Sequence, residues 1–143
     1  MPCVTVPFDP KIGAIITVGV AKPTPIRDPK DKVKIQEVRA LVDTGATITC
    51  ITPALADKVG LLLLGKTTMI SASETSDVNL YFASFFIPFG EPGKAAAQGQ
   101  IDDMPMMEFN MEGGQFQMLL GRDILCQGVF QMVGYDRRFM FCL

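Results

Sequence analysis

A chain of 143 residues with 48% hydrophobic side chains, ten Phe, nine Met and no Trp can bury a substantial core and does not have a disordered composition. Thirteen basic and fifteen acidic residues give a net charge of −2, which does not suggest a nucleic-acid footprint. The apolar run 60-GLLLLG-65 is far too short to cross a membrane, and the absence of His excludes Ser-His-Asp and Cys-His nucleophiles and the usual Cys/His zinc sites.

The N-terminus, 1-MPCVTVPFDP-10, has neither a basic start nor a signal-length apolar stretch, so a cytoplasmic location is expected. The four cysteines, Cys3, Cys50, Cys126 and Cys142, form no C-x-x-C pair; disulfides are possible in principle, but buried or reduced thiols are expected in a cytoplasmic chain. Segment 12-IGAIITVGVA-21 is β-branched and bounded by turn formers, which predicts a strand. Segment 22-KPTPIRDPKDK-32, with three prolines and mixed charge, reads as a solvated connection whose basic residues keep it in water. A second strand is expected over 33–42, running into Asp43, and 46-ATITCI-51 is again β-rich. Thr52 as N-cap, Pro53 at the first helical position and Gly60 just past the end predict a short helix between them.

Strands are expected at 67–70 and 78–89, separated by the small polar stretch 71-SASETSD-77 as an exposed hairpin tip. A Gly/Pro/Ala-rich connector, 90-GEPGKAAAQG-99, precedes a strand at 104–111 whose Met104, Met106, Met107 and Met111 read as core filler. After a Gly113-Gly114 turn, 115–120 reads as a strand into Gly121 and 122–128 as one or two helical turns. The chain closes as a hairpin over 129–143, turning near Asp136-Arg137. The reading is a mostly β, single domain over 1–143 with one or two short helices and no internal repeat.

Two segments bear on chemistry. In 41-LVDTGAT-47 and 119-LLGRD-123 a hydrophobic strand ends at a turn, one with Asp-Thr-Gly and the other with Gly-Arg. A carboxylate closing an apolar run is costly to desolvate unless something requires it there. Taken alone, Asp43 is explained by an Asx turn or a strand-end cap. Without His, hydrolytic chemistry must come from carboxylates, Lys, Tyr, thiols or an external metal. Two adjacent carboxylates that share one proton can both activate water and protonate a leaving amine. Gly45 suits a tight turn and close backbone approach, and Thr44 can stiffen that turn by local hydrogen bonding.

The pairing of Asp43-Thr44-Gly45-Ala46 with Leu119-Leu120-Gly121-Arg122-Asp123, 78 residues apart from Asp43 to Gly121, resembles the retropepsins, the retroviral-type aspartic proteases, and their cellular and bacterial relatives. The resemblance covers roughly residues 12–143, and its interval is somewhat longer than in the compact viral enzymes, which fits a connector over 90–103. It implies a closed, barrel-like acid-protease fold with one lobe per chain, and an aspartic endopeptidase without cofactor or metal. Asp43 would be catalytic, and Thr44, Gly45 and Ala46 would form the active-site loop and contact the substrate backbone. The second carboxylate would come from a homodimer partner, since this chain has one such motif.

By the same resemblance, a flap would lie over Ile70, Ser71, Ala72, Ser73, Glu74, Thr75 and Ser76, although this stretch lacks the glycines of viral flaps. Its plainer reading is a solvated hairpin tip. Leu120, Gly121 and Arg122 would support the loop. In viral relatives the Arg pairs with an acid after the D-T-G-A segment. Thr47 and Ile48 stand there in this chain, leaving Glu37, Asp57 or Asp123 as substitutes. The ends, 3-CVTVPF-8 and 138-RFMFCL-143, could interleave between subunits as in viral enzymes, though some cellular relatives dimerise differently. The expected partners are a second copy and a peptide or protein substrate, with no nucleic acid and no membrane. A competing expectation is a non-catalytic protease-like domain for dimerisation or peptide binding.

Overall fold

Among the described residues, runs rich in β-branched and aromatic side chains form ten strands, and two stretches become α-helical. The computed structural model describes residues 1–30, 32–89, 98–111 and 113–143. The strands are β1 (Cys3–Pro7), β2 (Ile15–Ala21), β3 (Gln36–Val42), β4 (Cys50–Ile51), β5 (Leu62–Ile70), β6 (Thr75–Pro88), β7 (Gln98–Glu108), β8 (Met118–Leu120), β9 (Val129–Val133) and β10 (Arg138–Cys142). The helices are α1 (Pro53–Val59) and α2 (Arg122–Leu125), and a single 3-10 turn covers Thr24–Ile26. Neither helix is long and apolar enough to cross a membrane.

The larger sheet runs β2-β3-β8-β4-β7-β6 and closes when β6 pairs back onto β2 through Gly19↔Phe86 and Val20↔Phe85. β5 lies outside this six-stranded barrel as the partner of β6. Inside sit Val18, Val20, Ile51, Phe85, Ile87, Met106, Met118 and Leu120, all nearly free of solvent contact. A second sheet, β1-β10-β9, packs Phe139 and Phe141 into the same core. Met104 and Met106 are core filler as expected; Met107 is half-buried and Met111 exposed.

Several boundaries move from their expected places. β5 begins at Leu62, not at 67, so the hairpin it forms with β6 is longer than the sequence suggested. Leu63 and Leu64, which read as an apolar run, are half-exposed on this outer strand. Residues 44–45 form a turn and 47–48 a bend, and of the stretch 46–51 only Cys50–Ile51 pair as a strand. β7 starts at Gln98 and takes in the last two residues of the expected connector, whose remaining part, 90–97, lies outside the described residues. α1 starts and stops where expected, with Pro53 at its first position and Gly60 left-handed at φ 74°. Thr52, however, makes no side-chain cap; its carbonyl accepts the Ala56 N–H at 3.0 Å.

The termini pair with each other within this chain. Cys3 stands opposite Cys142 in the β1–β10 register, and the two sulfurs form a disulfide. This overturns the expectation of four unpaired thiols, because antiparallel pairing of the first and last strands juxtaposes cysteines 139 positions apart. Cys50 is a buried thiol and Cys126 an exposed one.

Candidate active site

The order β3-β8-β4 explains how the two sequence motifs meet. β3 runs parallel to β8 on one side, and β4 runs antiparallel to it on the other. The segment 43–49 therefore has to arch from one flank of β8 to the other, over the point where β8 ends at Leu120. The Asp43 N–H donates to the Leu120 carbonyl at 3.0 Å, which fixes the base of the arch. Gly121 lies directly beneath. A Cβ there would sit 2.6 Å from the Ile48 carbonyl carbon and 2.8 Å from the Thr49 nitrogen. These are backbone atoms that cannot rotate away, so only glycine permits the crossing.

Within the arch, Asp43 Oδ1 accepts the Gly45 N–H at 2.9 Å and the Ala46 N–H bonds the Asp43 carbonyl at 3.2 Å, a local turn of the kind Asp favours. Asp43 and Ala46 are half-buried, while Thr44 and Gly45 are exposed. The second oxygen of Asp43 has no hydrogen-bond partner among the described residues, and neither has the Thr44 hydroxyl. The turn is thus stiffened by the Asp43 carboxylate and not, as expected, by Thr44.

Arg122 supplies the other restraint. Its Nη1 donates to the carbonyls of Thr44 (2.8 Å) and Gly45 (3.2 Å), and its Nη2 donates to Thr47 Oγ1 at 3.0 Å. None of Glu37, Asp57 or Asp123 pairs with it, so the expected substitution by another acid does not occur. The planar fork instead reads backbone carbonyls, and Thr47 occupies the acid's place as a hydroxyl acceptor. The first amides of α2 are likewise taken up by the arch: Arg122 N–H by Ala46 O (2.9 Å) and Asp123 N–H by Thr47 O (3.3 Å).

Thr49 escaped the sequence reading, and Asp123 was there considered only as a partner for Arg122. Thr49, fully buried, donates its hydroxyl to Asp123 Oδ1 at 2.7 Å and accepts the Gly121 N–H at 3.1 Å. Its own N–H donates to Asp123 Oδ2 at 2.9 Å. Asp123 thereby holds the far end of the arch to the start of α2. The signal was present in the Asp that follows Gly-Arg, but spacing alone could not say which group it faced. Beside them the Cys50 thiol is pushed up to about 11, first by burial and then by the charges of Asp123 and Asp43, so it stays protonated near neutrality.

The expected flap stretch is brought to the end of the β5–β6 hairpin. Ile70 closes β5, Thr75 and Ser76 open β6, and Ser71 to Glu74 form the tip. The Ser71 N–H donates to Glu74 O at 2.9 Å, and the Glu74 N–H donates to Ser71 Oγ at 3.2 Å. All seven residues are exposed.

Residues 31–124, which include both the Asp43 arch and the Gly121–Arg122 turn, match a family model described as aspartyl protease. The comparison with curated proteins gives no match. Among solved structures, the fold is similar to that of a retropepsin-like aspartic protease from Rickettsia conorii. The TM-score is 0.61 at 15% identity, over 97% of this chain and 89% of that one. The closed barrel and its two short helices are a retropepsin-like fold with one lobe per chain, as the motifs implied.

Proposed function

The chain belongs to the aspartyl protease family, and from that premise we propose that it is an aspartic endopeptidase whose site is completed by a second copy of the same chain. The observation that carries this reading is the Asp43 carboxylate, half-buried at a strand end, with one oxygen held by the Gly45 amide and the other without a partner among the described residues. A single Asp-Thr-Gly per chain supplies half of a carboxylate pair, so two arches face each other across a twofold axis.

Two carboxylates at close range cannot both ionise, and they share one proton with a titration that belongs to the pair. The ionised Asp43 takes a proton from water as the water oxygen bonds to the peptide carbonyl carbon. The protonated Asp43 of the other copy gives its proton to the carbonyl oxygen, and a neutral tetrahedral diol results. Proton delivery to the amide nitrogen then breaks the C–N bond, releasing an acid and an amine. Thr44, Gly45 and Ala46 lie along the substrate backbone in this reading, and Ile70 to Ser76 close over it. In a chain 48% hydrophobic, this reading favours extended peptides with hydrophobic side chains.

Asp43→Asn tests the assignment, assayed on unfolded protein substrates from acid to neutral pH. Loss of cleavage by roughly a thousandfold or more is expected. A variant that still cuts would sink it. Sedimentation of the wild-type protein is expected to show a dimer at working concentration, and an active strict monomer would contradict the shared site. Wild-type protein that binds a transition-state peptide mimic without cutting any substrate would leave a protease-like binding domain instead.

A further inference from the structure

We infer that the cleft between residues 22–36 and the C-terminal end of α1 is a binding site for an acidic, partly apolar peptide segment, separate from Asp43. The cleft encloses about 410 Å³, the size of a site for several side chains. Among the described residues, Lys22, Lys32, Lys34 and Lys58 line it together with Arg27, against one acid, Asp28. Residues 22–32 were expected to be a solvated connection of mixed charge, but the charge around the cleft is not evenly mixed. Residues 22–36 hold five of the 13 basic residues and two of the 15 acidic ones, so the rest of the chain carries eight basic against thirteen acidic. A basic cleft on an acidic protein is a local feature that attracts anions.

The floor is built rather than loose. Arg27 Nη2 donates at 2.6 Å to Ser84 Oγ, a side chain with no solvent contact, and its Nε donates to Lys22 O at 2.7 Å. Thr24 donates both its N–H and its hydroxyl to Asp103 Oδ1, at 2.7 and 2.8 Å. Asp103 sits at the irregular point of the β6–β7 ladder with φ 57°. These bonds spend Arg27 on fixing the loop and leave the lysines as the cationic lining.

The walls are apolar. Ile26, Val33 and Ile35 are 40%, 42% and 40% exposed, and all three face this one cleft. Side chains of that size left in water together mark a contact surface. Cations around an apolar floor fit a peptide that alternates acidic and aliphatic residues. A nucleic acid is fitted less well, because no aromatic side chain lines the cleft for a base to stack on and the protein's net charge is negative. The cleft includes Gln36 at the start of β3, whereas Asp43 follows the end of that strand, so the two lie roughly 20 Å apart along it. The site does not depend on catalysis.

Fluorescence anisotropy of a short labelled peptide alternating Glu with Leu and Val tests this, measured on Asp43→Asn protein so that cleavage plays no part. Binding is expected to weaken at least about tenfold in Lys32→Glu/Lys34→Glu/Lys58→Glu, and severalfold when Ser replaces Leu and Val in the peptide. Val33→Glu alone, at an exposed position, serves as a second variant should the triple change lower the melting temperature. Undiminished affinity in the charge-reversed proteins overturns the proposal, as does failure of the wild-type surface to bind the peptide. Equal or tighter binding of inorganic phosphate or an oligonucleotide with the same lysine dependence also overturns it, since the cleft would then recognise charge alone.

Discussion

The arch at 43–49 and the hairpin tip at 71–74 are both short turns leaving a strand, but they are held in opposite ways. The arch is tied across the chain: to β8 through Asp43 N–H, to α2 through Arg122 and to the barrel interior through Thr49 and Asp123. The tip is tied only to itself, by bonds between Ser71 and Glu74. A group that must be placed to within a fraction of an ångström is carried by the first kind of turn. A segment that has to open and close is drawn from the second.

The contrast is broken most severely at Gly121. Gly121→Ala forces a methyl group against the backbone of Ile48 and Thr49, and neither the arch nor β8 can retreat without losing the ladder between them. A loss of about 3 kcal/mol or more is expected, seen as a large fall in denaturation midpoint or as failure to fold. Thr49→Val is next. It keeps the volume but leaves the Gly121 N–H and one oxygen of half-buried Asp123 without the hydroxyl each uses. About 2 kcal/mol of stability is expected to go, measured by urea unfolding with an unchanged slope.

These two positions also show what could be read in advance. The β-branched and apolar runs of β2, β3 and β6 and the Pro53 and Gly60 signals are local, so they were legible. The motif pair was legible because its members are contiguous residues. The meeting of Thr49 with Asp123 was not, because it depends on β4 lying beside β8, whose end leads into α2. The Cys3–Cys142 pairing was missed for the same reason: sequence separation says nothing about which strands share an edge. Residues 22–32 beside the cleft were read as a solvated loop, since nothing local reveals that α1 brings Lys58 alongside them.

Arg122→Lys probes the restraint on the turn that carries Asp43. A guanidinium reaches Thr44 O, Gly45 O and Thr47 Oγ1 together, whereas an ammonium on a flexible stem can satisfy only part of that set. The expected cost is about 1–2 kcal/mol of stability. A larger proportional loss in kcat than in KM is expected as well, because the turn that carries Asp43 is loosened while the substrate surface is kept. An equal fall in both would assign Arg122 to the fold alone.

The smallest effect on stability, and the sharpest separation of the two turns, is expected at the tip. Ile70 is 80% exposed, so its side chain contributes little to the free protein, and Ile70→Ser should leave the melting temperature almost unchanged, within about 0.5 kcal/mol. If the tip closes over a bound peptide, that apolar surface leaves water only in the complex. Its removal then costs about 1–2 kcal/mol of binding, a rise in KM of roughly tenfold for an apolar peptide. An ordinary solvated hairpin predicts no change in either quantity. The tip has no glycine to ease such a motion, so hydrogen exchange gives an independent reading. The Glu74 amide should exchange through local opening, while the Asp43 and Gly121 amides should exchange only with global unfolding. Slow exchange at Glu74 would show that the tip is held as firmly as the arch, and the division of labour between the two turns would be lost.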